Sequence, residues 1–339
     1  MNLSSGDLKA QVVQSQWYKA LSKYEKPDVR KAVGQLFNTF IPYIALWAVM
    51  VCIIRMHLSL WFLVPCVVVA AGLLVRIFIF QHDCGHGSFF ASHKANRFVG
   101  YICGVLTFTP YDDWRHEHAA HHTTAQDLDR RGIGDIPTLT VEEYLASSPI
   151  KQFYYRMFRN PLFLFILGPA IQFVIVHRFP HKRAGTRERM SVLLTDLALV
   201  ALVGIAAMTI GLQTYLLIQM PIIIIAASMG VWLFYVQHQY EGVYWAPHED
   251  WDPIRAALQG SSYYRLPKIL QWFSGNIGLH HIHHLRPRIP NYHLQQCYED
   301  IPELQKAETL TLFQSLKCMH LHLWDEKQQR LVNFRAARK

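Results

Sequence analysis

The sequence predicts an all-α protein integral to a membrane: four transmembrane helices in two hairpins beneath a cytoplasmic helical cap that carries clustered histidines. Three observations carry this reading. Of 339 residues, 51% are hydrophobic and only 17% charged. The apolar residues fall in long uncharged runs rather than an even spread. The 19 histidines gather in the polar stretches beside those runs.

The runs are 37–54, 58–80, 190–211 and 214–236, with only a few residues between the members of each pair. Each approaches or exceeds the roughly 17–25 residues a helix needs to cross the hydrocarbon layer. They divide the chain into a cytoplasmic N-terminal segment (1–36), a main domain (37–310) and a cytoplasmic C-terminal tail (311–339). Lys9, Lys19, Lys23, Lys26, Arg30 and Lys31 precede the first run without an early apolar core, so no cleaved signal peptide is expected. This arrangement puts 31 of the 33 Lys and Arg on one side, leaves Arg55 alone on the other, and sets Arg76 about one turn from its helix end. Such a bias places both termini in the cytoplasm. The net charge of +9 then faces anionic lipid headgroups or an acidic protein rather than nucleic acid.

Two shorter apolar segments test the count of four spans. Segment 98–109 is too short to cross and is closed by Pro110. Segment 161–176 has Gly168-Pro169 at its centre and basic residues on both flanks. Both are expected to lie in the interface or dip into it from the cytoplasmic side. A full crossing by 161–176 would put the last histidine cluster across the membrane from the first two. No strand pattern stands out, and the six cysteines show no CxxC spacing, so they read as apolar fillers.

"HDCGH" carries His82 and His86, "HAAHH" carries His118, His121 and His122, and "HHIHH" carries His280, His283 and His284. Positions i, i+3 and i+4 share a helix face, so each cluster directs two or three rings at one place. Three such clusters make a polyhistidine metal site. His238, in "YVQHQY" directly after the last run, is a ninth candidate; Asn276, four before His280, reaches the same face directly or through a water. Imidazole suits iron, copper, zinc and nickel, whereas calcium and magnesium take oxygens. Eight clustered rings exceed what one structural or catalytic zinc uses. The count fits two metals, and iron is favoured because paired imidazole-held irons can activate dioxygen beside a lipid-accessible cavity.

Asp83, Asp112, Asp113, Glu117, Asp127 and Asp129 stand in or beside the clusters as acceptors for the outer ring N–H groups. His116 and His281 fall off the shared spacing and read as bystanders. His57, His93, His177, His181, His248, His293, His320 and His322 read as interfacial polar residues. "HEHAAHH" is not a zinc-peptidase helix, because HExxH requires histidine where Ala120 stands.

The three clusters resemble the HxxxH, HxxHH and HxxHH boxes of the membrane fatty acid desaturase superfamily. The resemblance extends through "LTFTPYDDWRHEHAAHHTTAQDLDRRGIGDIPT" and "GNIGLHHIHHLRPRIPNY" and covers roughly 35–310. It is strongest to bacterial acyl-lipid enzymes of the omega-6 (delta-12) or delta-5 type. The resemblance implies two iron ions held by His82, His86, His118, His121, His122, His238, His280, His283 and His284. It also implies an acyl lipid substrate, dioxygen, and a cis double bond as product, in a bacterial inner membrane. The sequence has no HPGG haem motif, so electrons come from a separate donor such as ferredoxin or a cytochrome b5-like protein.

The first box is not the HxxxxH of animal acyl-CoA desaturases, which argues against an acyl-CoA substrate. Hydroxylases, acetylenases and ketolases share the same boxes, so another oxidation at the same site is the first alternative. A non-enzymatic metal-binding or transport protein is the second; it would place ionisable residues within its spans, where this chain has chiefly Arg76 and Asp196. Alike methylenes can be told apart only by position, so an apolar tunnel is required, with Trp114, Trp232, Trp245 and Trp272 as wall or interface residues.

Overall fold

A computed structural model gives the structure of residues 12–336; the start of the N-terminal segment with Lys9, and the last three residues of the C-terminal tail, lie outside the described residues. The first apolar run becomes α1 (Val29–Arg55), which starts where Asp28 accepts the N–H groups of Arg30 and Lys31 at 2.8 and 3.2 Å. A short 3-10 turn (Leu60–Phe62) leads into α2 (Leu63–His86). Nothing in "QHDCGH" opposes a helix, so α2 continues six residues past the apolar run and stops at Gly87, whose φ of 69° suits glycine. His82 and His86 therefore stand on the last turns of α2, not beyond it. Arg76 accordingly lies well before the helix end. Its guanidinium donates to Thr39 Oγ1 at 3.1 Å and to the carbonyl of Trp272, and stacks 4.3 Å over the Trp272 ring.

Helices α3 (His93–Leu106) and α4 (Tyr111–Thr124) follow, one capped by Ser92 and the other opened by Pro110. Next come α5 (Pro149–Phe158), a π turn (Phe163–Leu167) and α6 (Gly168–Val174), with a 60° bend in this segment. The break falls at 159–162, between α5 and the π turn, where Pro161 cannot donate to the turn before it; Gly168-Pro169 lies inside the second piece, where the π turn passes into α6. Helices α7 (Thr186–Thr209) and α8 (Leu212–His238) form the second hairpin around Gly211, φ 90°. Among the described residues, four helices are thus long and apolar enough to cross a membrane, and the Leu60–His86 stretch is the most enclosed, 61% buried against 17% for Thr186–Thr209.

α2 and α8 bring their last residues to the same histidine cluster. The bent 149–178 segment has the form of either a broken span or a re-entrant loop. Arg178 at its end pairs with Asp196 of α7, which accounts for that carboxylate in an apolar helix.

The stretches after each hairpin interlock as one cap. The Leu128 N–H donates to Ala246 O at 2.9 Å, and Leu139–Thr140 pairs in parallel with Leu323–Asp325, which pairs antiparallel with Arg330–Val332. Tyr263–Arg265 and Thr309–Thr311 make a second, two-stranded parallel pair. These strands of two or three residues are too short to show a period-two pattern. The cap's short helices α9 (Pro253–Gln259), α10 (His280–Leu285) and α11 (Asn291–Asp300) pack beneath the N-terminal segment, where Leu21 and Tyr24 share a core with Ile282, Leu294 and Leu304. All six cysteines are free, four of them buried.

Candidate metal centre

Nine imidazoles from four helices converge in two adjacent groups. One comprises His82 and His86 of α2, His118 and His122 of α4, and His283 of α10; the other comprises His121 of α4, His238 of α8, and His280 and His284 of α10. Within each group one nitrogen per ring lies within 4.8 Å of all the others. The groups abut, with the rings of His122 and His284 stacked at 4.2 Å.

The spacing predicts that each cluster points at one place: His82 and His86 do so, but the two HxxHH clusters each divide. Residues four apart differ by about 40° around a helix and those three apart by about 60° the other way, so i and i+4 stay together while i+3 diverges. His118 and His122 thus serve one group and His121 the other; likewise His280 and His284 are separated from His283. Each HxxHH box bridges the two groups.

Proton bookkeeping shows what the groups are built for. Nδ1 of His238 lies 3.2 Å from Gly260 O, which only accepts, and 3.0 Å from the Gln126 side-chain amide, whose oxygen is otherwise unpartnered; with that amide turned to present its oxygen, Nδ1 carries the proton and Nε2 presents a lone pair. Nδ1 of His121 donates to Asp135, which leaves its Nε2 bare as well. These two bare nitrogens face each other at 3.2 Å, and His280 Nε2 is 3.0 Å from His238 Nε2. In the other group His82 donates from Nδ1 to Asp83 at 3.1 Å, and its Nε2 lies 3.0 Å from that of His283. Buried lone pairs held this close repel unless a cation lies among them. The 2.9–3.2 Å spacings start just below about 3.0 Å, the right-angled span for metal–nitrogen bonds of about 2.1 Å, and stay short of the tetrahedral span of about 3.4 Å.

Burial, reinforced by neighbouring rings, holds His118, His122, His280, His283 and His284 well below the usual imidazole range. They are neutral near pH 7 and bind a cation without first losing a proton.

The outer partners differ from most of those the sequence offered. Asp83 is one: it accepts from His82 and is itself fixed by the Asn291 N–H and side-chain amide at 2.7 and 2.9 Å. Asp112 instead accepts from Tyr101 and Arg187, Asp113 pairs with His181, and Asp127 and Asp129 hold His248. Asp135 and Gln126, the latter 3.0 Å from His238 Nδ1, were not foreseen. Both lie in irregular loop, where no periodicity marks them. Asn276 is not on the helix of His280. That helix starts at His280, and Asn276 occupies the preceding turn with φ 57°, so the four-residue spacing does not put them on one face. His116 stacks on His181 and His281 lies 3.0 Å from Leu304 O, both outside the two groups.

An apolar cavity of about 450 Å³ begins at His82, His118 and His280 and runs between α2 and α8. Phe78 and Trp114 form its wall near the histidines, Trp114 stacked 4.5 Å from His118. Glu117 also lines it, with burial first and Asp113 second raising its carboxyl above the usual range. Trp232 instead packs on Phe165, Trp245 lies buried near Trp324, and Trp272 covers Arg76.

The family model described as fatty acid desaturase matches residues 58–315, three quarters of the sequence. The chain belongs to the fatty acid desaturase family. The desaturase is 45% identical over 323 residues to a fatty acid desaturase of Bacillus subtilis, covering 95% of this chain and 91% of that one. It is 26% identical over 251 residues to the sn-1 acyl-lipid omega-3 desaturase (ferredoxin) of Synechocystis, covering 72% of this chain and 69% of that one. To the sn-1 oleoyl-lipid 12-desaturase of Anabaena variabilis it is 26% identical over 263 residues, covering 72% and 70%. It is an oxidoreductase acting on acyl lipids.

Proposed function

We propose that the desaturase lies in a bacterial inner membrane with its termini and histidines on the cytoplasmic side. There it holds two iron ions on the nine histidines and places a cis double bond in the acyl chain of a membrane lipid. The supporting observation is the pairing of two groups of bare imidazole nitrogens with the head of an apolar cavity. Its volume of about 450 Å³ falls within the roughly 300–1,000 Å³ of small-molecule sites.

The iron pair, when bound, supplies the reduction of dioxygen that removes two hydrogens from neighbouring methylenes. Dioxygen takes four electrons, two from the C–H bonds and two from a donor, and leaves as two waters. The chain's own residues do the rest. Asp83, Asp135 and the Gly260 carbonyl fix which nitrogen of His82, His121 and His238 faces inward. Phe78, Trp114 and the aliphatic walls exclude water and hold one carbon pair beside the histidines. Glu117 offers a carboxyl that can hold a proton at the cavity wall. The donor is a separate protein such as ferredoxin or a cytochrome b5-like protein, a reading supported by the ferredoxin named for the Synechocystis relative.

Expression in a host that lacks the product, followed by mass spectrometry of its acyl chains, tests this. A new cis-unsaturated chain is expected with the native sequence and none with His121→Ala or His284→Ala. A hydroxylated or keto product would replace desaturation with another oxidation, and unchanged product in both variants would remove the histidines from the chemistry.

A further inference from the structure

The cavity extends along α8 from Gln237, beside His238, past Phe234 and Gly230 to Ala226 and Ile223. Ile223 lies fifteen residues before His238, about 22 Å at 1.5 Å per residue. The far end is shut by Leu74, Val75 and Ile223, which are 1–4% exposed.

Roughly halfway along, the wall has a gap. A Cβ at Gly230 would meet no atom within 4 Å. Ala226, Ala227, Leu233 and Phe234, its neighbours one turn away on either side, all line the cavity, so the missing side chain points into it. Gly168 also borders the cavity, but a Cβ there would meet Phe163 O at 2.9 Å, and close packing explains it. No contact explains Gly230. A glycine within a helix is destabilising relative to alanine, so at this position the open space itself is the distinctive feature.

We propose that Gly230 sets the length of acyl chain the desaturase accepts, by keeping the cavity open beyond the point eight residues, about 12 Å, from His238. The inference rests on the reading that the acyl chain occupies this cavity. Apolar walls exclude a polar headgroup, so the methyl end leads toward Ile223. The depth between the histidines and that floor then counts the carbons between the double bond and the methyl end.

Gly230→Leu fills the gap and Ile223→Ala deepens the floor. Both are expressed as full-length chains, and their products are resolved by chain length and bond position. With Gly230→Leu the ratio of longest-chain to shorter-chain product should fall roughly tenfold or more, and any long chain still accepted should carry its double bond nearer the methyl end. Ile223→Ala should shift both measures the other way. A Gly230→Leu protein that accumulates normally and keeps the native profile overturns the inference. If that variant does not accumulate, the profile of Ile223→Ala decides: a shift to longer chains supports the inference, and an unchanged profile overturns it. Absence of unsaturated product from the native chain would instead defeat the acyl-cavity reading.

Discussion

Asp135 shows how much of the centre depends on a residue that ligates nothing. It accepts from His121 Nδ1 and so commits Nε2 of that ring to the inward, lone-pair side. Asp135→Asn keeps the shape but removes the charge that holds the tautomer. Iron content and product formation should each fall roughly 10–100-fold, while helix content by circular dichroism stays native; full iron and native activity would show that His121 needs no such partner. Eight of the nine candidate ligands were legible because i, i+3 and i+4 spacing on a helix is visible in the sequence itself, and His238 because it directly follows the last apolar run. Asp135 and Gln126 were not, because chain reversal in a loop, rather than spacing, delivers them. The division of each HxxHH box was also hidden, since it depends on where α2, α8 and α10 stand relative to α4.

At the scale of elements, the apolar runs located all four long helices but not their ends. α2 and α8 outrun their apolar stretches by six and two residues, because helix stop signals, not hydropathy, end a helix. The short cap helices depend on tertiary packing for their stability, and α10 illustrates its consequence. Burial lowers His281 in α10 to a pKa of about 4, against an ordinary 6.5. The folded state thus resists a proton that the unfolded state accepts. This contribution is at full strength above pH 6.5 and is lost as pH falls toward 4, by up to about 1.4 kcal/mol per pH unit. Thermal unfolding of the metal-free protein should therefore move to lower temperature below pH 6.5, and less so in His281→Gln. An equal acid shift in both proteins would assign the effect to other groups.

For the whole molecule, the sequence conveyed the two hairpins and the single cap. It did not convey the short strands that tie residues 139–140 to 323–332, nor the seating of residues 21–24 on the cap. The dipping geometry expected of 161–176 makes a topological prediction. With the bent segment returning to the side of the histidines, Arg55 should stand alone on the far side and Lys182 on the near side. Arg55→Cys in intact cells should react with a membrane-impermeant thiol reagent, while Lys182→Cys should react only after lysis, with Cys52 and Cys66 replaced beforehand. Labelling of position 182 in intact cells would mean that 161–176 crosses.

The central claim, two metal positions built from five and four histidines, is tested most directly by iron content per purified chain. The native protein should carry two irons, and pairwise replacement of His86 and His283, or of His238 and His280, by alanine should each leave one. Two irons retained in either double variant, or both lost together with the fold intact, would contradict the division into two groups.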